Sequence, residues 1–165
     1  PYLGLCLGAQ IMTIEFARSV FKDDALTSEE FDEAGKLSRD KYVVHFLPGQ
    51  HKDKEKGGTL RLGAYTCKLI PGTKAAKAYG ETTISERHRH RYEVNPDFIE
   101  QLSAGKNGLI FSGTSPNGRL MEIAELPKDK HPFFLGTQFH PEFLARPLTP
   151  HPLFSAFIKA CIKNK

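Results

Sequence analysis

An α/β fold is what this sequence predicts, and three observations predict it. A short apolar run, Pro1-Tyr2-Leu3, passes through Gly4-Leu5-Cys6-Leu7-Gly8 into a stretch from Ala9 to Phe21 with few breakers, which reads as strand, sharp turn and helix. Two β-rich runs, Leu109 to Thr114 and Arg119 to Leu126, flank Ser115-Pro116-Asn117-Gly118, a strong hairpin signal. Near the end, Leu153, Phe154, Phe157, Ile158 and Ile162 follow helical spacing, with Lys163 and Lys165 suited to the C-terminal end of that helix. Strands and helices therefore alternate along 165 residues, the size of one domain with room for a proper core.

Taken in order, the first element carries the most information. A strand-to-helix turn strains its central residue and crowds the neighbours, which explains a glycine two places before Cys6 and another two places after. The dipole of the following helix favours a thiolate, and the Leu7 amide is placed to donate to a developing oxyanion. From the pentapeptide alone, Cys6 is equally well a small core residue in a glycine-rich turn. Apolar positions from Ile11 to Phe21 cover more than one helix face, so this helix is expected to be largely buried.

The polar segment Lys22 to Asp40 lacks periodicity and reads as a surface excursion. Tyr42 to Leu47 reads as a strand ended by Pro48-Gly49, and Gln50 to Lys56 as a solvated charged tip. Gly57-Gly58-Thr59-Leu60-Arg61-Leu62-Gly63 suits either a mobile lid or a bulged strand. A short strand is expected over Cys67 to Ile70, and a helix from Thr73 to Tyr79 stopped by Gly80.

Glu86-Arg87-His88-Arg89-His90-Arg91-Tyr92-Glu93-Val94 is the most unusual stretch in composition. In a strand, Arg87, Arg89 and Arg91 share one face and His88 and His90 the other, so only half of the run can serve one ligand. The flanking arginines repel a metal cation, and no third ligand stands nearby. Pro96 to Ser103 reads as a helix with Pro in its first turn, ended by Gly105. Phe133 to Phe139 is an apolar strand running into His140-Pro141-Glu142-Phe143.

Composition excludes several classes. Hydrophobic residues at 39% and charged residues at 25% are those of an ordinary globular domain, which argues against disorder. No apolar run approaches the length of a membrane span, and the N-terminus lacks the features of a signal peptide. Three widely spaced cysteines, Cys6, Cys67 and Cys161, argue against a disulfide framework or zinc site and for the reducing cytoplasm. A net charge of +4 permits anionic ligands without demanding nucleic acid. A chain opening on Pro within a core strand, without Met, is read as a fragment incomplete at its N-terminus.

A thiol needs a base, and the base needs an acceptor on its other ring nitrogen. His140 ends a strand, where side chains reach the same sheet rim as an elbow does, and Glu142 is close enough to accept from its imidazole. The expected catalytic set is therefore Cys6, His140 and Glu142. Singly each is bland, since His140 also suits a core position and Glu142 a surface one.

Pro1-Tyr2-Leu3-Gly4-Leu5-Cys6-Leu7-Gly8-Ala9-Gln10 and Gly136-Thr137-Gln138-Phe139-His140-Pro141-Glu142-Phe143 resemble the two signatures of class I glutamine amidotransferases. Within that class, the runs from Gly57 to Gly63 and from Glu86 to Asn95 resemble those of the CTP synthase family. The resemblance implies a flavodoxin-like sheet with helices on both faces, partial at its N-terminal side, plus an antiparallel hairpin. It also implies a glutaminase in which Cys6 forms a glutamyl thioester, His140 handles protons and Glu142 fixes the imidazole tautomer. Glutamine would be held by Leu7, Gln10, Glu30 and Arg91, with Glu30 meeting its ammonium and Arg91 its carboxylate.

Ungapped counting from Cys6 selects Glu30 within Thr27-Ser28-Glu29-Glu30-Phe31, with Glu29 as the alternative. The glycine-rich oxyanion loop that the family places before the elbow strand is not among these residues. No G-x-x-x-x-G-K-[ST] loop is present, so no cofactor is expected in this chain. By resemblance, ATP, Mg2+ and the activator GTP belong to the full enzyme, with a synthetase domain on the same polypeptide and a homotetramer as the assembly. Competing readings are another class I amidotransferase or a γ-glutamyl hydrolase sharing the three catalytic residues, and a silent fragment kept as a binding or assembly module. Nucleic-acid binding through the basic run is disfavoured because no aromatic side chains interleave with it.

Overall fold

The computed structural model describes residues 1–46 and 61–163. The expected charged tip and most of the glycine-rich lid or bulge lie outside the described residues. Strand β1 (Tyr2–Leu5) leads through Cys6 into α1 (Leu7–Phe21); β2 (Thr27–Ser28) and β3 (Tyr42–Phe46) follow. Then come β4 (Arg61–Leu69), α2 (Lys74–Tyr79), β5 (Thr83–His90), β6 (Tyr92–Val94) and α3 (Pro96–Leu102). The hairpin β7 (Ile110–Thr114) and β8 (Met121–Glu125), then β9 (Phe134–Thr137) and α4 (Pro152–Lys163), complete the described chain.

Six strands form one sheet in the order β1-β9-β8-β7-β4-β5, and β2-β3-β6 form a second. In the larger sheet only β1 and β9 run parallel; every other neighbouring pair is antiparallel. The expected hairpin is present, with Gly118 in the left-handed conformation its turn needs (φ 73°). Side chains alternate across the sheet, so Ile123 and Ala124 face opposite cores. On one face Met12, Ile14 and Ala17 of α1 pack with Phe98 and Leu102 of α3; on the other Ala75, Ala76 and Leu153 bring in α2 and α4. Helices on both faces of an α/β sheet are as expected.

The seating of α1 follows from a paired glycine notch. Gly4 and Gly136 are partners across the β1–β9 ladder. A Cβ on Gly4 would lie 2.7 Å from the Gly8 carbonyl carbon, and one on Gly136 would lie 2.8–3.0 Å from Met12 Cε and from Ala9 Cβ and Cα. Glycines at both positions let the helix drop onto the strands, and Tyr2 Oη–H donates to the Gly8 oxygen at 2.8 Å to close the turn. The helix is less buried than its apolar content suggested: Leu7, Ile11 and Val20 remain 44–49% exposed. One face meets the notch and core, and the second apolar face stays open among the described residues.

One expectation gains detail, and another is corrected. The segment after α1 is a folded excursion built around Asp32, whose carboxylate accepts from the Lys36 and Leu37 amides and the Tyr42 hydroxyl. Within it, β2 pairs with β3, and two residues are too few to show a period. Strand β4 begins well before Cys67, at Arg61. Its pattern is inverted, with Arg61 buried and Leu62 62% exposed, so a search for apolar alternation passes over it.

Candidate active site

The backbone at Cys6 is the local signature of the site. Its φ of 48° and ψ of −103° lie where non-glycine residues rarely sit, and Cys6 is the N-cap of α1. The strain is held by structure on both sides: the Cys6 amide donates to the Thr137 oxygen at 2.7 Å, and the Cys6 oxygen accepts from the Gln10 amide at 3.2 Å. Since β1 and β9 are parallel neighbours with Leu5 opposite Thr137, both strands end at one rim and deliver their next residues there. Cys6 comes directly after β1; Gln138, Phe139 and His140 come after β9.

His140 is fixed at both backbone and ring. Its amide donates to the Arg87 oxygen at 2.9 Å, and its ring stacks on Phe143 with centroids 4.9 Å apart. Nδ1 lies 2.6 Å from Glu142 Oε1. A carboxylate can only accept, so Nδ1 carries the proton and Nε2 is left with a lone pair. That Nε2 is buried and has no hydrogen-bond partner among the described residues. The dyad thus presents an unused proton acceptor at the rim where the thiol emerges.

The thiol itself is not primed electrostatically in the way the helix dipole suggested. Burial pushes its pKa up, the Leu7 amide donating to the sulfur works against that, and the carboxylates of Glu142, Glu30 and Glu93 push it up further. Burial and carboxylates win, so a base is required. Cys67 is a different case: burial drives its thiol up to about 12, and it belongs to the core.

Among the predicted glutamine contacts, Gln10 is buried on α1, its Nε2 donating to the Tyr92 oxygen (3.1 Å) and to Gln138 Oε1 (3.2 Å). Arg91 sits at the bend between β5 and β6, partly buried. Glu30 is exposed just after β2, its amide bonded to Ser28 Oγ. The Tyr92 phenol is raised by burial, then by the charges of Glu30 and Glu29, and lowered by Arg91. Glu29 is committed elsewhere, its carboxylate accepting from the Phe46 amide at 3.0 Å. Of the two glutamates, only Glu30 acts on the Cys6 thiol.

Two features escaped the sequence reading. Gln138 lies inside one of the two signatures, yet its contact with Cys6, 3.8 Å from Nε2 to Sγ, has no local signal. Behind the rim, Arg61 meets Glu122 at 2.6 Å and Glu93 at 3.3 Å, and His88 Nδ1 lies 2.8 Å from His90 Nε2, all these groups being buried. The expected alternation holds as far as His90, with His88 and His90 inward and Arg87 and Arg89 outward; Arg91 does not share their face, because the strand ends before it and the chain bends there. What the alternation could not say is that the inward face is ionic. No set of three potential ligands forms a metal site among the described residues. A groove between α2 and α4, lined by Thr73, Lys77, Pro152 and Ala156, gathers none of the predicted site residues.

A strained cysteine at a strand-to-helix elbow and a histidine–carboxylate pair after the parallel neighbouring strand thus stand at one rim of the sheet. The family model for glutamine amidotransferase class-I matches residues 1–160, and the chain belongs to that family. Within it the chain is similar to CTP synthases. It is 56% identical over 162 residues to that of Rubrobacter xylanophilus, covering 98% of this chain and 28% of that protein. It is 52% identical over 169 residues to that of Saccharopolyspora erythraea, covering 100% of this chain and 29% of that protein. The chain therefore spans under a third of the length of the curated relatives it matches. Among solved structures, the glutaminase domain of Trypanosoma brucei CTPS with bound acivicin matches with a TM-score of 0.81 and 35% identity, over 99% of this chain and 60% of that one.

Proposed function

We propose that this chain is the glutaminase part of a CTP synthase, hydrolysing glutamine through a thioester on Cys6. The observation that carries the reading is the parallel pairing of β1 with β9, which brings a strained cysteine and a histidine with a buried, unbonded Nε2 to one rim. Similarity to CTP synthases supports the choice of reaction.

The raised thiol sets the order of events. His140 Nε2 removes the Sγ proton as the sulfur attacks the side-chain carbonyl carbon of glutamine. Negative charge on the carbonyl oxygen is met by the Leu7 amide, at the positive end of α1. As the tetrahedral adduct collapses, Nε2–H gives that proton to the leaving nitrogen, releasing ammonia and leaving a glutamyl thioester. Nε2 then takes a proton from water, the hydroxide displaces sulfur to give glutamate, and the proton returns to Sγ. Glu142 stays ionised throughout, holding Nδ1–H and stabilising the imidazolium that forms twice.

Glu30 and Arg91 would take the ammonium and carboxylate of free glutamine, and Gln10 would line the same pocket. Among the described residues no group of three potential ligands could hold a metal ion, and no step here runs through Mg2+, ATP or GTP. On the same reading, a synthetase domain of the same polypeptide uses the ammonia to convert UTP to CTP, with GTP as activator, as a cytoplasmic homotetramer; these statements rest on similarity alone.

The test is ammonia release from glutamine by the polypeptide carrying its upstream residues. Cys6→Ala and His140→Ala should each reduce kcat by roughly 10³-fold or more. Full turnover by Cys6→Ala removes the nucleophile assignment. An electrophilic glutamine analogue should label Cys6 and leave Cys67, which is buried, unmodified.

A further inference from the structure

We propose that Gln138 is a further residue of the reaction: its side-chain amide donates a hydrogen bond to the Cys6 sulfur, in an orientation that Gln10 imposes. The geometry begins with the amide flip. Gln10 Nε2 has two donors and gives them to two acceptors, the Tyr92 carbonyl at 3.1 Å and Gln138 Oε1 at 3.2 Å. Gln138 must therefore present oxygen to Gln10 and NH2 to its other side, where Cys6 Sγ lies 3.8 Å away.

Three things remove the freedom to do otherwise. Gln138 and Gln10 are each 3% exposed, so neither amide can exchange its partner for bulk water. The Gln138 backbone is clamped, its amide donating to the Glu122 oxygen at 2.8 Å. The Tyr92 carbonyl that fixes Gln10 is itself near a second donor, His90 Nδ1, at 3.1 Å.

A neutral thiol is a weak acceptor and a thiolate a strong one, so this donor gains strength as the sulfur loses its proton. The groups that face the sulfur make such a donor useful: Glu142 from the turn after β9, Glu30 from the loop after β2 and Glu93 from β6 all oppose negative charge there. On the favourable side the described residues supply the Leu7 amide and Gln138. In the proposed reaction, the sulfur carries charge when attack begins and again when water displaces it. Gln138 acts at both moments, and Gln10 acts through Gln138 as a positioning residue.

The kinetic consequence rests on Cys6 being the nucleophile, but the hydrogen bond does not, so the test titrates the thiol without glutamine. The pH dependence of Cys6 alkylation by iodoacetamide is followed by mass spectrometry of the Cys6 peptide in the full polypeptide. Gln138→Met removes the donor at similar length and should move the alkylation midpoint upward by about one pH unit, a tenfold loss of thiolate near neutrality. Gln10→Met should give a shift of the same sign from a residue that does not touch the sulfur and adds no charge, because without the donor at position 10 nothing holds the Gln138 oxygen away from the sulfur. Thermal unfolding identifies any variant that fails to fold, and the other variant then decides. An unmoved midpoint in a folded Gln138→Met or Gln10→Met protein overturns the proposal. Normal ammonia release by Cys6→Ala would instead overturn the functional reading and leave the titration result standing.

Discussion

Adding a single methyl group at Gly4 tests whether the notch under α1 builds the elbow. In Gly4→Ala the new Cβ meets the Gly8 carbonyl carbon at 2.7 Å and its oxygen at 2.8 Å, and the Tyr2 hydroxyl at 2.8 Å. Carbon atoms in ordinary contact sit about 3.5–4.0 Å apart, so strand and helix must separate by the better part of an ångström. Neither neighbour is the end of a flexible chain: one is helix backbone, and the other is a ring pinned by its bond to Gly8 and by stacking on Phe134. Overpacking of this kind costs about 1–3 kcal/mol, and losing the Tyr2–Gly8 hydrogen bond adds about 1 kcal/mol. A total near 3 kcal/mol corresponds to a fall in Tm of roughly 6–12 °C for a domain of this size. The control is Gly8→Ala, whose Cβ meets only the Tyr2 hydroxyl, at an ordinary 3.7 Å. Alanine is also the better helix former by about 1 kcal/mol, so Gly8→Ala should hold or raise Tm. Thermal unfolding of the two variants side by side is the assay. Equal losses, or a larger loss at Gly8, would refute the argument that Gly4 is required by close approach and Gly8 is not.

Two further predictions concern the buried ionic cluster. Arg61→Met leaves Glu122 and Glu93 without the cation that lies 2.6 Å and 3.3 Å from them, and should destabilise the fold by about 3–5 kcal/mol in urea unfolding; a change under about 1 kcal/mol would mean that the pair is not buried as described. Stability should also fall on the alkaline side because of Glu93 and on the acid side because of His88 and His90, since the groups pull in opposite directions. Burial first, then the Glu122 charge, lifts Glu93 to about 8, so its contribution is complete below about 4.5 and is lost as pH rises towards 8. Burial lowers His88 to about 2 and His90 to about 3, so theirs is complete above about 6.5 and is lost on acidification. A Tm that climbs steadily from pH 5 to pH 8.5 would contradict this, and Glu93→Gln should flatten the alkaline side alone.

What could be read from the sequence was what is encoded locally. The glycines around Cys6, the turn at Ser115 to Gly118, the stop at Gly80 and the proline opening α3 each act within a few residues, and each element appears where its signal stands. That Cys6 and His140 each follow the end of a strand was legible for a related reason, since the glycine-flanked elbow and the apolar run before His140 both mark a strand end. Strand β4 was misread because its inward residue at position 61 is a cation whose partners come from β6 and β8, far along the chain. Gln138 was missed on the same physical ground. An amide becomes informative only through its partners, and here they are Gln10 and Cys6 at the other end of the sequence.

The buried cluster and the rim are one construction. Burying Arg61, Glu93 and Glu122 is costly, and apolar packing of similar volume stabilises at least as well, so stability alone is a poor reason for such a set. Its geometry leads to the site: His88 Nδ1 engages His90 Nε2, His90 Nδ1 faces the Tyr92 carbonyl, and that carbonyl accepts from Gln10. Both histidines are held neutral, so His90 has one ring proton, on Nδ1, and its Nε2 must accept from His88. The Tyr92 carbonyl, which can only accept, dictates both sides: it puts the His90 proton on Nδ1, and it turns Gln10 Nε2 towards itself, which sets which end of Gln138 meets the sulfur. The alternating Glu86-Arg87-His88-Arg89-His90 run thus serves two purposes: its inward face supplies, through His90, a second donor to the carbonyl that orients Gln10, while the backbone at Arg87 anchors His140.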